Sequence, residues 1–311
     1  MKAIVIGLGS IGKRHAQNLM SLGVSVVGLE PNAEMRTLQI EYVDSIENAT
    51  ADIAFICSPT DMHIKQALKC AKKGMHIFIE KPPSNNLDGF TELNALCKEK
   101  LLVSMVACNF RFTEGIKKIK EIANSKQYGK LLSLRAYFGQ YLPSMRKGRD
   151  YRQLYAATKA GGVVLDSFHE FDYTYWLLGK PRRIQSFKGK FSNLEIANED
   201  MAEIIMKYDG ALANIHVDYL RRKYLRSCEA MFENCTLVWE YRADEKRELL
   251  ELYKNDGEKE TLIDNKNLDV NRMYLDEMLH FLECVKTGKR PILDVTTSEK
   301  IMKMMNTVIL R

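Results

Sequence analysis

The 311-residue chain has no apolar run approaching the ~20 residues that span a bilayer, so no transmembrane segment is expected. Its start, Met1-Lys2-Ala3-Ile4, runs straight into a strand-like segment without signal-peptide architecture, which points to a cytoplasmic protein. It also lacks a CxxC pair. The seven cysteines, Cys57, Cys70, Cys97, Cys108, Cys228, Cys235 and Cys284, are odd in number and scattered. That spread argues against a disulfide framework and a zinc ribbon, and fits reduced, mostly structural thiols. HExxH, a Cys/His ladder and an EF-hand loop are missing, so no metal is expected. There is no internal repeat and no low-complexity segment. Charge of one sign hardly dominates: 46 basic against 40 acidic residues leave a formal +6. Without a recognition motif, that excess favours small anions over nucleic acid.

What is present suits a substantial core, with 46% hydrophobic against 28% charged residues over a length that fits two domains. In the first third, Val- and Ile-rich runs read as buried strands: Lys2–Ile6, Val24–Leu29, Ile53–Cys57, His76–Glu80 and Leu102–Cys108. Helical patterns lie between them at Ile11–Leu22, His63–Lys73 and Leu87–Glu99, the first two stopped by Gly23 and Gly74. This alternation predicts a doubly wound parallel sheet, a Rossmann-type α/β domain. After about residue 120 the pattern changes to Leu131–Phe138, Ile184–Phe191, Met201–Tyr208, Ala211–Tyr219, Leu225–Phe232, Cys235–Tyr241 and Leu249–Lys254. Several of these runs alternate apolar and polar residues. Asp209-Gly210, Glu233-Asn234 and Asp256-Gly257 read as turns, so an open, mainly antiparallel sheet is expected. Helices at Arg272–Thr287 and Thr297–Leu310 close the chain. We therefore expect a Rossmann domain over 1–118 and an α+β domain over 119–311, with the final helices packing back on the first.

Gly7-Leu8-Gly9-Ser10-Ile11-Gly12 follows the first strand and opens the first helix. In that context one glycine makes the tight turn, one admits a pyrophosphate to the backbone, and one allows close helix–strand packing. The phosphate then meets the N–H groups at the helix start, including those of Ser10 and Ile11. Glu30 ends the second strand at the distance where a carboxylate accepts ribose hydroxyls, which favours NAD over NADP. Arg36, a few residues on, softens that preference and keeps NADP open.

Two more segments stand at strand ends: Cys57-Ser58-Pro59-Thr60-Asp61-Met62-His63 and Glu80-Lys81-Pro82. Together with the glycine loop and an Asp/His cluster further on, they make the chain resemble the Gfo/Idh/MocA family of oxidoreductases, which includes glucose–fructose oxidoreductase and inositol dehydrogenase. The resemblance covers essentially the whole chain. It implies that Ser58, Pro59, Thr60, His63, Glu80 and Lys81 lie beside the cofactor, and that Lys81 reaches the reacting carbon. For His63 the plainer alternative is a residue that only caps or packs at a helix start. A lysine at the carboxyl end of a parallel strand points into the crevice where open α/β sheets bind ligands.

Gly161-Gly162-Val163-Val164-Leu165-Asp166-Ser167-Phe168-His169-Glu170-Phe171-Asp172-Tyr173 is the richest stretch of the second half. Asp166, His169 and Asp172 recur every three residues, so on one helix they would share a face. A helix start capped by Asp166, with His169 buried, is the bland reading. The resemblance implies that Asp166 and His169 complete the active site with Lys81. Many family members space this Asp and His one residue further apart. The shorter Asp-x-x-His-Glu-x-Asp-Tyr form resembles a branch associated with nucleotide-activated or surface sugars. That departure leaves either Asp166 or Asp172 as the partner of His169. An unperturbed imidazole titrates near ~6.5 and suits a general base.

Met145-Arg146-Lys147-Gly148-Arg149-Asp150-Tyr151-Arg152 is a basic loop, in which Arg149 and Arg152 are candidates for an anionic substrate. Asn109 and Arg111, in Asn109-Phe110-Arg111-Phe112, are further substrate candidates at the domain junction. Arg221-Arg222-Lys223 and Arg226 read as a solvated strand end or subunit contact. The expected protein is thus an NAD-dependent dehydrogenase of a sugar, cyclitol, sugar acid or nucleotide sugar. Half-apolar sheet faces are rarely left bare, so a homodimer or homotetramer through the second sheet is expected. The rival is a catalytically silent, sugar- or nucleotide-responsive regulator of the same fold, which would not need Lys81, Asp166 and His169 together.

Overall fold

Runs such as Ala3–Ile6 and Ile53–Ile56 are buried along their whole length, which is possible only in a sheet covered on both faces. The computed structural model describes residues 1–146, 148–158 and 161–309 and places them in two units. The first comprises Met1–Cys108 and Tyr274–Lys303; the second comprises Asn109–Met273 and Met304–Arg311, as far as these are described. The division thus falls at Cys108/Asn109, ahead of the 118/119 boundary read from sequence.

In the first unit, β1 (Lys2–Ile6), β2 (Ser25–Leu29), β3 (Glu41–Tyr42), β4 (Ile53–Ile56), β5 (His76–Ile79) and β6 (Ser104–Val106) form a parallel sheet. Its order is β3-β2-β1-β4-β5-β6, with the reversal of direction between β1 and β4. Helices α1 (Ser10–Ser21), α2 (His63–Lys72) and α3 (Phe90–Glu99) connect the strands. Phe55 and Phe78 stack at 4.6 Å and meet Phe281 edge-on, so a residue from late in the chain closes this core.

The second unit begins with α4 (Glu114–Ser125) and β7 (Leu131–Gly139), followed by α5 (Val163–Asp166) and α6 (Phe168–Leu178). The strands β8 (Arg183–Gly189), β9 (Met201–Lys207), β10 (Leu212–Asp218), β11 (Leu225–Phe232), β12 (Cys235–Arg242), β13 (Arg247–Lys254) and β14 (Lys259–Asn265) complete an eight-stranded sheet. Its order is β14-β13-β12-β11-β7-β10-β9-β8, antiparallel except where β7 pairs with β10. Alternate residues of β11 and β12 are buried, so one face carries the core, where Trp239 and Tyr173 are fully enclosed. Helices α4 and α6 pack on it. The helices α7 (Arg272–Thr287) and α8 (Val295–Ile309) end the described chain. Leu310, expected to end the last helix, lies outside the described residues.

All seven cysteines are buried and unpaired with one another. No helix among the described residues is long and apolar enough to cross a membrane.

Candidate active site

In the first unit the segments singled out from sequence all follow carboxyl ends of neighbouring strands. The glycine loop follows β1, Glu30 follows β2, Ser58-Pro59-Thr60 follows β4, and Glu80-Lys81 follows β5. This edge, at a reversal of strand order, is where open α/β sheets bind ligands. Gly7 has φ +86°, and a Cβ there would lie 2.7 Å from the Ser58 amide nitrogen. A Cβ on Gly12 would collide with the Gly7 carbonyl. Gly9, which caps α1, has nothing within 4 Å of the same position. Two glycines are therefore required by packing, while the third leaves bare backbone at a helix N-terminus that begins with Ser10 and Ile11. That cradle fits a pyrophosphate.

Glu30 is buried, and its two oxygens accept the Leu8 amide at 2.7 Å and the Asn32 amide at 3.0 Å. The carboxylate is thereby fixed between the glycine loop and the turn after β2. Each oxygen keeps a second lone pair for a ribose hydroxyl. Arg36 does not pair with that carboxylate; its Nε donates to the Glu30 carbonyl at 2.7 Å.

Glu80 is held by a residue that sequence reasoning passed over. His15, fully buried on α1, places Nε2 2.7 Å from Glu80 Oε1, among Phe55, Phe78 and Tyr274. The signal was available: His15 stands one helical turn before Leu19 and shares its buried stripe. Glu80 Oε2 accepts the Lys81 amide at 3.0 Å. Burial alone would raise the Glu80 carboxyl, but the His15 ring and Lys81 with its amide bring it below its ordinary value. Thr60 lies in a 3-10 turn, Thr60–Met62, and His63 opens α2. The sequence leaves His63 either beside the cofactor or packed at a helix start. Its ring is 2% exposed, with Nδ1 3.0 Å from the Pro82 carbonyl and Nε2 2.7 Å from the Ser58 carbonyl.

The second unit departs further from the sequence expectation. Asp166 and His169 do not share one continuous helix. The chain breaks at Ser167, whose hydroxyl donates to the Val163 carbonyl at 2.6 Å, and α6 starts anew at Phe168. Asp166 Oδ2 receives the Tyr219 hydroxyl at 3.3 Å. His169 is buried and meets the Phe110 ring edge-on at 4.9 Å.

Asp172 is turned to Arg111 and makes its hydrogen bonds there. Arg111 Nε lies 3.0 and 3.1 Å from the two carboxylate oxygens and its terminal nitrogen 2.6 Å from Oδ1, with both side chains 2% exposed. The guanidinium also stands 4.9 Å from the Trp176 ring. Arg111 and Asp172, both expected from sequence to meet substrate, are thus each engaged by the other. Asn109 is likewise buried, 4% exposed, in the 3-10 turn Asn109–Phe112.

Arg226, read from sequence as a solvated or subunit-facing residue, is instead 5% exposed. Its Nε is 2.6 Å from Glu170, and its guanidinium lies 4.2 and 4.4 Å from the Phe110 and Phe138 rings. Phe110 thus joins Arg226 to His169. Arg221, Arg222 and Lys223 are exposed. In the basic loop, Arg149 and Arg152 are exposed, and Arg152 bridges Asp150 and Glu195 at 2.9 and 2.8 Å. Lys147 of that loop lies outside the described residues.

A separate polar cluster occupies β7, β9 and β10. His216 stacks on Tyr137 at 4.8 Å and contacts Glu203 at 2.5 Å and Asp218 at 3.1 Å. The hydrogen bond with Asp218, followed by that with Glu203, raises its pKa against partial burial.

Comparison with known proteins agrees with this architecture. The chain is 29% identical over 229 residues to an uncharacterized oxidoreductase of Bacillus subtilis, a match covering 68% of this chain and 65% of that protein. It is 32% identical over 193 residues to the myo-inositol 2-dehydrogenase of Thermotoga maritima, covering 58% of this chain and 55% of that enzyme. The chain thus spans less than two thirds of either relative. Among solved structures, UDP-N-acetylglucosamine 3-dehydrogenase from Acidithiobacillus ferrooxidans superposes with a TM-score of 0.83 at 20% identity, covering 100% of this chain and 97% of that one. At that identity the likeness establishes the fold. Residues 1–108 match a family model described as an oxidoreductase family with an NAD-binding Rossmann fold, and residues 116–238 match the GFO/IDH/MocA C-terminal domain. With both of its characteristic parts matched in order, the chain belongs to the Gfo/Idh/MocA family of oxidoreductases.

Proposed function

We propose that the protein is an NAD-dependent dehydrogenase acting on a carbinol carbon of a sugar, cyclitol, sugar acid or nucleotide sugar. One observation carries the reading most directly: Lys81 follows β5 on the same sheet edge as the glycine loop and Glu30. Bound NAD supplies the hydride acceptor for such a carbon. Gly7, Gly9 and Gly12, with the Ser10 and Ile11 amides, hold the pyrophosphate, and Glu30 takes the adenosine ribose. Ser58, Pro59, Thr60 and Glu80 border the cofactor, and His63 supports them from behind. Glu30 repels a 2′-phosphate, which favours NAD over NADP; tighter binding of NADPH than NADH would reverse that choice.

For the chemistry, His169 takes the hydroxyl proton and Lys81 donates a hydrogen bond to the substrate oxygen. The engagement of Asp172 by Arg111 supports Asp166 as the carboxylate that orients His169. The second unit, Asn109–Met273 with the end of the last helix, forms the substrate and assembly domain in this reading. Arg149 and Arg152 are exposed cations suited to an anionic substrate such as a sugar acid or nucleotide sugar, in keeping with the short Asp-x-x-His-Glu-x-Asp-Tyr motif. Phe187, 78% exposed on β8, with Ile205 and Leu212, supports assembly into a dimer or tetramer through the second sheet.

The test follows nicotinamide absorbance with NAD and a panel of sugars, cyclitols, sugar acids and nucleotide sugars. Turnover with at least one is expected. Lys81→Ala and His169→Ala should each abolish it while NADH still binds; near-parental rates in either variant would remove that residue from the mechanism.

A further inference from the structure

The turn that follows β10 is closed by one side chain. Asp218, the last residue of that strand, is buried, and its Oδ1 accepts the amides of Leu220 and Arg221, both at 2.7 Å. An aspartate that bonds the amide two residues on fixes the backbone between them, and the residue enclosed here is Tyr219. Oδ2 of the same carboxylate is tied to the sheet: the Tyr137 hydroxyl donates to it at 2.8 Å, and His216 Nε2 lies 3.1 Å away. His216 and Asp218, two apart on β10, share one face of the sheet, with Tyr137 opposite His216 in register. Asp218 therefore holds the turn with one oxygen and the strands with the other.

Tyr219 is fully buried, and its main chain is held on both sides: its amide donates to the Asp200 carbonyl at 2.8 Å, and its carbonyl accepts the Leu142 amide at 3.1 Å. Its hydroxyl donates to Asp166 Oδ2 at 3.3 Å. Burial, followed by the charge of Asp166, keeps that phenol well above its ordinary value, so it remains a donor near neutrality. Burial opposes the charge of Asp218, but the His216 ring, the Tyr137 hydroxyl and the two amides bring its carboxyl below the ordinary value. It therefore remains an acceptor under the same conditions.

We propose that Asp218 is a positioning residue for Asp166: by closing the turn around Tyr219 it aims the hydroxyl that Asp166 accepts. The inference rests on the role proposed above for Asp166 in orienting His169. It gives that carboxylate a donor from a different element, and it makes the polar network of Tyr137, His216 and Asp218 the anchor of that donor.

Two substitutions cut the relay at different links. Tyr219→Phe deletes the hydroxyl, and Asp218→Ala opens the turn that aims it. Each should lower kcat about tenfold or more with KM and the NADH Kd little changed. Asp218→Asn keeps an oxygen for the Leu220 and Arg221 amides and should recover most of the kcat lost in Asp218→Ala. The double variant Tyr219→Phe/Asp218→Ala should be no slower than the slower single variant, because both act through one hydroxyl. Independently of turnover, the full chain carrying tyrosine labelled with 13C at Cζ reports the bond directly. The Tyr219 resonance, identified by its absence from Tyr219→Phe, should move in Asp218→Ala and return towards its parental position in Asp218→Asn. Losses that multiply in the double variant, parental kcat in Tyr219→Phe, or a Tyr219 resonance unmoved by Asp218→Ala would overturn the proposal. If Asp218→Ala does not fold, kcat of Tyr219→Phe and the Tyr219 resonance in Tyr137→Phe, which removes one anchor of the Asp218 carboxylate, decide it in the same way. Should the parent turn over no sugar at all, the functional reading falls, and the resonance alone decides whether Asp218 aims Tyr219 at Asp166.

Discussion

The two units position polar groups by different means. Around Lys81 the partners are backbone atoms, glycines and imidazoles: Glu30 accepts two amides, His63 meets two carbonyls, and Glu80 is held by His15. Around His169 they are full ion pairs sealed from solvent, Arg111 with Asp172 and Arg226 with Glu170. Backbone-held sites are built from short segments whose geometry depends on residue spacing. Ion-paired sites join elements far apart in the chain and stand or fall with both partners. The first kind adapts a common sheet edge to a cofactor, whereas the second ties distant segments of one core together.

The sharpest test of that contrast removes one charge from a buried pair. Arg111→Met leaves Asp172 buried without its partner and should cost the protein about 3–5 kcal/mol in urea unfolding. The double variant Arg111→Met/Asp172→Leu should recover most of the loss, because two enclosed charges leave together. Equal losses in the single and double variants would show that the pair acts through shape alone.

In the first unit the corresponding perturbation is a single carbon. Gly12→Ala drives a methyl group into the Gly7 carbonyl and should lower stability by about 1–3 kcal/mol. Gly9→Ala meets nothing within 4 Å, so the melting temperature should hold while NADH affinity, read by fluorescence titration, falls about tenfold or more. If both variants lost only stability, the open glycine would have no part in binding.

The smallest effect is one of sign. Burial holds His76 and His280 of the first unit below the ordinary imidazole value, so stability they contribute is present above ~6.5 and lost as pH falls through their folded values. His216 of the second unit is raised, chiefly by its bond with Asp218. Its contribution is complete below ~6.5 and lost as pH rises through its folded value. Acidification across that window should weaken hydrogen-exchange protection in the first unit relative to the second. His216→Gln should flatten the second unit's response; an unchanged slope in that variant would rule out the ring as its source.

The same contrast explains what the sequence made legible. The glycine spacing, Glu30 and the Glu-Lys-Pro segment could be read because each depends on a few consecutive residues at a strand end. Arg111 and Asp172 are 61 positions apart, and Arg226 and Glu170 are 56, so no local pattern announces either pair. The break at Ser167 was hidden for a different reason: the three-residue recurrence of Asp166, His169 and Asp172 fits one helix and gives no sign of the bond from the Ser167 hydroxyl back to the Val163 carbonyl at the break. Strand β14, Lys-Glu-Thr-Leu-Ile-Asp-Asn, was passed over because it is an edge strand with few apolar residues, defined by pairing with β13. Strand β3, two residues long, has no periodicity to detect. His15 lay in a stretch recognised as helical, but its partner is 65 residues away.

The enclosed cysteines give the molecule a built-in clock. Burial pushes the Cys70 thiol up to about 12 and Cys235 up to about 11, so neither presents an appreciable thiolate near neutrality while its surroundings are closed. Cys57, Cys70, Cys97, Cys108 and Cys284 belong to the first unit, and Cys228 and Cys235 to the second. Alkylation at each position, followed by peptide mass, therefore records how often its own unit opens, and the native chain reports the breathing of its two halves without an introduced probe.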